Sequence, residues 1–258
     1  MIIRKAQIEE MSEGLTRAFE DEMVEHLAAF SPPLFAVIKE DHMREVIRFG
    51  IGRARDYRLT LRGPIRLYLE MMLLFGSHFD TDPQYPWAGE ILIDRYSVSE
   101  MQRAEWLHAR ILDYQEKVSG PEGANTQKAL EELLSLAKNP ITLTGENFST
   151  GMRREMIRVF PQKAEYVGKD GIKALIEEAT AEAGKYGFSN ERGNILMVIL
   201  MYAFGHGCTS GLIYPWIERT LNDEKIVDAP KRSERLEKKA ITWLEHVLGK
   251  PQEGDMRE

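Results

Sequence analysis

Phe75-Gly-Ser-His-Phe-Asp-Thr-Asp-Pro-Gln-Tyr-Pro-Trp87 and Phe204-Gly-His-Gly-Cys-Thr-Ser-Gly-Leu-Ile-Tyr-Pro-Trp216 open on the same Phe-Gly pair and close on the same Tyr-Pro-Trp triplet. The offset that carries Phe75 onto Phe204 holds outward from these stretches without a gap. Tyr57 meets Tyr186, Phe19 meets Phe148, Met23 meets Met152 and Pro32 meets Pro161. Further on, Arg103, Glu105 and Leu107 meet Arg232, Glu234 and Leu236. Residues 19–120 and 148–249 are identical at 23 positions, too many for unrelated segments of this composition. The chain therefore reads as one unit written twice. Repeat 1 covers 1–122 and repeat 2 covers 123–258, joined at the linker Ser119–Thr126, with a loose polar tail from about Gly249.

Apolar residues recur at helical spacing, and period-2 alternation is scarce. Repeat 1 is expected to form a helix over about 3–29, stopped at Ser31-Pro32-Pro33 because proline lacks the amide proton and clashes with a preceding turn. A second helix runs from Asp41, as N-cap, to Tyr57, and a third from Arg62 to Gly76. The third is apolar nearly all round, so it belongs at the centre of the unit. A short helix Trp87–Ile93 and a longer one over Ser97–Val118 complete the unit. Repeat 2 follows the same order, with helices near 147–159, 170–186, 191–204, 215–222 and 231–248, after a helix-like run Gln127–Lys138. The expected fold is all-α: two tandem, similar bundles of about five helices each, related by a pseudo-twofold axis.

The bulk numbers exclude several classes. Hydrophobic residues are 43% and charged residues 29%, a globular balance. Net charge is −7, so the chain lacks the basic excess of a generic nucleic-acid or anionic-membrane binder. The single cysteine, Cys208, suits a reducing compartment, and the N-terminus lacks the apolar stretch of a secretory leader. The longest apolar run, Leu196 to Phe204, is too short to span a membrane. These observations point to a cytoplasmic protein.

Candidate sites lie where the copies differ. Repeat 1 holds seven arginines between Arg44 and Arg66, among them Arg48, Arg53 and Arg55. At the aligned positions Arg48 becomes Glu177, Arg53 becomes Glu182 and Arg62 becomes Glu191. This basic stripe either meets the acidic face of the other repeat, docks an acidic partner protein, or is simply a solvated face. Asp80 and Asp82 form an acidic loop that repeat 2 lacks. With His78 nearby they could be metal ligands or an acid/base pair, and they are candidates for partner binding, although Asp-Thr-Asp in a turn most often caps backbone amides in solvent. Glu20-Asp21-Glu22 with Glu25 reads as a second solvated face. Tyr85-Pro86-Trp87 and Tyr214-Pro215-Trp216 read as structural pins, proline starting a helix and tryptophan burying area. His206 and Cys208 have no orienting group in the sequence, so a structural histidine and a buried thiol are expected. No phosphate loop, zinc spacing, nucleophile elbow or dinucleotide fingerprint occurs. No catalytic residue, metal or cofactor is therefore assigned.

Phe49-Gly-Ile-Gly-Arg-Ala-Arg-Asp-Tyr57, Arg66-Leu-Tyr-Leu-Glu-Met-Met-Leu-Leu-Phe-Gly76, Phe79-Asp-Thr-Asp-Pro-Gln-Tyr-Pro-Trp-Ala88 and Glu90-Ile-Leu92 together resemble a family of small helical bacterial proteins. These are encoded beside type VI secretion effectors and related polymorphic toxins. The resemblance covers repeat 1, and repeat 2 loses the Asp-Thr-Asp-Pro loop. It implies a genomic setting rather than residue-level roles. In that setting the expectation is a non-enzymatic immunity protein that occludes a cognate toxin, its negative charge suiting a basic toxin surface. The alternatives are an effector adaptor or chaperone of the same secretion system, and a helical enzyme with an unrecognised site.

Overall fold

The computed structural model describes the backbone of residues 5–16 and both backbone and side chains of 17–94, 97–139, 141–143 and 147–249. Among these residues there are twelve α-helices and no strand. They are α1 Lys5–Phe30, α2 Pro32–Ile38, α3 Glu40–Asp56, α4 Arg62–Phe75, α5 Pro86–Ile93, α6 Glu100–Tyr114, α7 Ala124–Lys138, α8 Phe148–Val159, α9 Pro161–Lys185, α10 Glu191–Phe204, α11 Pro215–Leu221 and α12 Ala229–Val247. A π-helical turn Gln115–Ser119 and a short 3-10 turn Pro121–Gly123 join α6 to α7. The all-α expectation holds. Residues 1–4 and the tail beyond Gly249 lie outside the described residues.

Several boundaries fall differently from the sequence reading. Ser31-Pro32-Pro33 does not only stop α1; it starts α2, because proline is at no disadvantage in a first turn whose amides have no intrahelical partner. Asp41 is not an N-cap: α3 begins one residue earlier, with Lys39 at its cap. Lys39, with φ 66 and ψ 162, separates α2 from α3. Its counterpart in the second half, Gly168, bends α9 in the same way with φ 75 and ψ 172. The expected helix Ser97–Val118 is α6 followed by the π turn. α6 starts at Glu100, where the Ser99 hydroxyl accepts the Gln102 amide.

α4 and α10 start and end at matched positions of the two halves and lie at the centres of two apolar clusters. Tyr68, Leu69, Met71 and Met72 of α4 are fully buried, as are Met197, Val198, Leu200 and Met201 of α10. Burial of each such side chain stabilises the fold by ~1.5–3 kcal/mol. Gly50 of α3 permits close packing on α4, since a Cβ there would sit 2.4 Å from Leu69 Cδ2.

The C-terminal end of each of these two helices carries an aromatic corner. Phe75 lies 4.7 Å from Tyr85, 5.9 Å from Trp87 and 4.9 Å from Tyr114, ring centre to ring centre. Phe204 lies 4.4 Å from Tyr214, 6.1 Å from Trp216 and 4.8 Å from Trp243. Tyr85 and Trp87 are buried, Tyr214 and Trp216 half-buried, and Pro86 and Pro215 open α5 and α11. Trp87 is thus buried in the first core, whereas Trp216, expected to be a core pin, is only half-buried. Two matched arginines tie α6 and α12 to the ends of α3 and α9: Arg103 donates to the Tyr57 carbonyl and Arg232 to the Tyr186 carbonyl.

The two corners meet back to back. Gly76, with φ 102, packs on the Phe204 carbonyl, which a Cβ would approach to 2.7 Å. Gly205, with φ 87, packs on the Phe75 carbonyl, at 2.6 Å from a Cβ. Both positions need glycine twice over, for the positive φ and for the close approach.

Candidate functional site

The arginine stripe is consumed within its own half. Arg48 and Arg44 both bond Glu20 of α1, and Arg44 also reaches Asp21 and Glu40. Arg62 pairs with Glu22. Hydrogen bonds from Arg48 lower the Glu20 carboxyl, burial raises it and Arg44 lowers it again, leaving it below the ordinary range. The acidic cluster read as a solvated face is thus the partner of the basic stripe, and Glu20 is buried. Of the three readings of the stripe, a meeting of Arg48 and Arg53 with the acidic face of the other half does not occur. Glu177 pairs with Lys173, Glu182 with Lys185 and Thr209, and Glu191 with the Leu143 amide. Arg55 is exposed.

Asp80 and Asp82 are buried, so neither is placed to touch a partner protein, and the loop is not a solvated turn. Asp80 accepts from Arg53 Nη2 at 2.5 Å. Asp82 accepts from the Gln84 amide at 2.8 Å, the Gln84 side chain at 3.1 Å and the His206 amide at 2.8 Å. Gln84 also donates to the Met201 carbonyl. The backbone-capping role suggested by the turn chemistry is correct, but the amides capped include one from the other half of the chain. Burial pushes the Asp82 carboxyl above its ordinary range.

Beside this clasp stands an arrangement that looks catalytic. His206 Nδ1 lies 2.7 Å from Glu178, and Nε2 lies 3.0 Å from the Thr81 hydroxyl. Carboxylate, imidazole and hydroxyl in that order form the relay of an activated nucleophile. The same Nε2, however, lies 3.0 Å from the His78 carbonyl, which only accepts. The Glu178 carboxylate likewise accepts at Nδ1, so the network assigns a proton to each nitrogen. Burial lowers the His206 pKa, but Glu178 and Asp82 more than offset it and the net shift is upward. A cationic imidazole cannot take a proton from Thr81. His78 is pushed down to about 4, first by burial and then by Arg53 and His206. Cys208 is buried, and burial pushes its thiol well up, which suits the inert thiol expected. Among the described residues no group of three or more His, Cys, Asp or Glu side chains is placed to hold a metal ion.

The feature that carries most chemical consequence lies elsewhere. A cavity of about 1050 Å³ opens between the two aromatic corners. It is walled by the ends of α1, α4, α6, α8, α9, α10 and α12, by one side of α7 and by the 115–123 connection. Phe75, Tyr85, Tyr114, Phe204 and Tyr214 line it, and so does Lys163. Lys163 is 4% exposed. Its Nζ donates to the Tyr202 carbonyl at 2.5 Å and lies 4.8 Å from the Tyr202 ring centre and 5.6 Å from that of Tyr85. Burial pulls its pKa down to about 8, against the field of Asp82. Two circumstances add to the cost. No carboxylate is within ion-pairing distance of Nζ among the described residues, and Lys163 stands in the first turn of α9, where the helix dipole repels a cation.

The sequence carried one faint signal for this site: the position matched to Lys163 in the first half is Leu34, which packs on the first core. A leucine replaced by lysine at a matched core position is a departure in chemical kind. It is hidden among many harmless surface mismatches. Compared with known proteins, the chain matches no family model, no curated protein and no solved structure. No described helix is long and apolar enough to cross a membrane.

Proposed function

We propose that the protein is a non-enzymatic binding protein made of two related helical units, and that it holds a small ligand in the cavity between them. The observation that carries the ligand reading is Lys163, a cation held in a cavity wall at a matched position where the other half has leucine. A fold gains nothing in stability from such a group, whereas a binding site gains a charge aimed at its ligand. The two-unit reading is supported by the constant offset in the bounds of α4 and α10, in the matched turns at Lys39 and Gly168, and in the paired aromatic corners. A pseudo-twofold relation is supported by the reciprocal packing of Gly76 on Phe204 and Gly205 on Phe75. The units would divide near 1–122 and 123–258. The test uses a neutral apolar fluorophore. It should bind the full chain at one site, and Thr126→Trp, which extends a half-buried side chain from the α7 wall of this cavity, should abolish that binding while the melting temperature is kept. Binding unaffected by the variant would end the cavity reading.

The resemblance of repeat 1 supports a second reading, in which a partner protein is engaged on the outer surface. Ile93 at the end of α5 and Met101, Trp106 and Leu112 on α6 are exposed large apolar side chains of the first half. As an immunity protein it would restore growth when co-expressed with the toxin encoded beside it. As an effector adaptor its deletion would stop secretion without self-poisoning. If the neighbouring gene product does not bind the chain, both fall.

A further inference from the structure

We infer that the ligand is a monoanionic amphiphile: a single carboxylate on an apolar body, with the head group on Lys163 and the body between the two aromatic corners. This deepens the cavity reading above and rests on it. Charge is the first argument. Among the described lining residues Lys163 is the only cation and Glu122 the only carboxylate, and Glu122 is exposed. One buried positive charge matches one negative charge; a polyphosphate would need several cations.

Hydrogen bonding is the second argument. An ammonium group has three N–H donors, and Lys163 uses one on the Tyr202 carbonyl. The other two have no oxygen partner among the described residues and stand beside the Tyr202 and Tyr85 rings, so a carboxylate would have two donors to bond. The third argument is the wall. Phe75, Tyr85, Tyr114, Phe204 and Tyr214 line the side beside Lys163 and suit an apolar body, while Gln115, Ser119, Thr126 and Gln127 give the opposite side polar groups. The volume of about 1050 Å³ holds a body well beyond a short acid.

The charges around Lys163 set the pH dependence. Asp82 faces it from the loop before α5, Tyr85 and Tyr202 from their rings, Tyr114 and Tyr214 from the cavity wall, and Glu122 from the connection; Glu165 and Tyr166 stand on its own helix. Burial holds the Tyr85, Tyr114, Tyr202 and Tyr214 hydroxyls well above their ordinary range, so none of them titrates near neutrality. A bound carboxylate adds a negative charge beside Nζ and favours the ammonium form. Free protein loses that proton above about 8. Binding above this pH must therefore take up one proton, and affinity falls about tenfold per pH unit.

The experiment titrates the full chain calorimetrically with decanoate, 2-naphthoate, decanol and decyltrimethylammonium, between pH 7 and 9.5. At least one of the two acids should bind at pH 7, about tenfold or more tighter than decanol, and weaken about tenfold from pH 8.5 to 9.5. The cation should not bind. Whichever acid binds tighter assigns the body as acyl chain or aromatic ring. Lys163→Met should lose the preference for acid over alcohol, and the pH profile of the native protein serves if that variant does not fold. Equal binding of acid and alcohol, or a flat pH profile, overturns the carboxylate assignment and leaves the cavity reading standing. If neither the acids nor the alcohol bind, the carboxylate assignment falls; if the neutral fluorophore is also refused, the cavity reading falls with it.

Discussion

Buried Lys163 and half-buried His206 show how differently two basic side chains can be held. Lys163 has a carbonyl and two aromatic faces but no paired carboxylate, and its folded pKa of about 8 lies below its unfolded value of 10.5. The unfolded chain thus binds more protons between these values, so native stability rises as pH climbs from about 8 to 10.5. Lys163→Met removes the desolvated charge, a gain of about 3 kcal/mol from the shift, less about 1 kcal/mol for the lost hydrogen bond. Urea denaturation should show the variant about 2 kcal/mol more stable at pH 7, with the advantage shrinking toward pH 10. A destabilised variant would mean that the ammonium group is a structural anchor. His206 runs the other way. Its pKa is raised by Glu178 and Asp82, so its contribution is full below the unfolded pKa of 6.5 and is lost as pH rises through the folded value. Native stability should therefore fall across that window, and His206→Gln should be less stable at pH 6 and flat through it. A slope shared by both proteins would place the titration elsewhere.

At the level of elements, the helices were legible wherever an apolar run ended on a clear stop. The bounds of α4 and α10 follow directly from their apolar runs and glycine stops. α2 was not legible, because Pro32-Pro33 is as good a first turn as it is a stop, and only packing decides between them. The basic stripe of α3 and the acidic cluster of α1 were each visible, but their pairing depends on how two helices cross, which periodicity does not encode. The same limit hid the cavity, whose walls come from helices of both halves. The break between α2 and α3 leads to a prediction. Lys39 adopts φ 66 and ψ 162, a region essentially restricted to glycine, and its counterpart at the same turn is Gly168. Lys39→Gly should stabilise the protein by about 1 kcal/mol, and Gly168→Ala should destabilise it by about 1–3 kcal/mol, both read as midpoint shifts in urea. A loss on Lys39→Gly would show that the lysine side chain outweighs the backbone strain.

For the whole molecule the question is whether two halves written alike also unfold separately. Each half carries most of one apolar cluster, which favours independence, although Ile213 of the second half belongs to the first cluster. The seam argues the other way. Gly76 and Gly205 each pack on the other's preceding carbonyl, Asp82 caps the His206 amide, Gln84 reaches the Met201 carbonyl and His42 reaches the Leu212 carbonyl at 2.6 Å. Unfolding one half would leave Asp82 of the other stripped of its cross-chain donor, and an unpartnered buried polar group costs ~1–3 kcal/mol or more. Several such losses together couple the stability of the two halves. The four tryptophans divide evenly, with Trp87 and Trp106 in the first half and Trp216 and Trp243 in the second. Fluorescence of a Trp216→Phe, Trp243→Phe double variant reports the first half alone, and Trp87→Phe, Trp106→Phe reports the second. Against each variant's own circular dichroism, the two fluorescence transitions should coincide in urea with the loss of helix. Asp82→Asn, introduced on each background, should shift both midpoints by the same amount. Two separated transitions, or a shift confined to the half that contains residue 82, would show the seam to be weaker than either core.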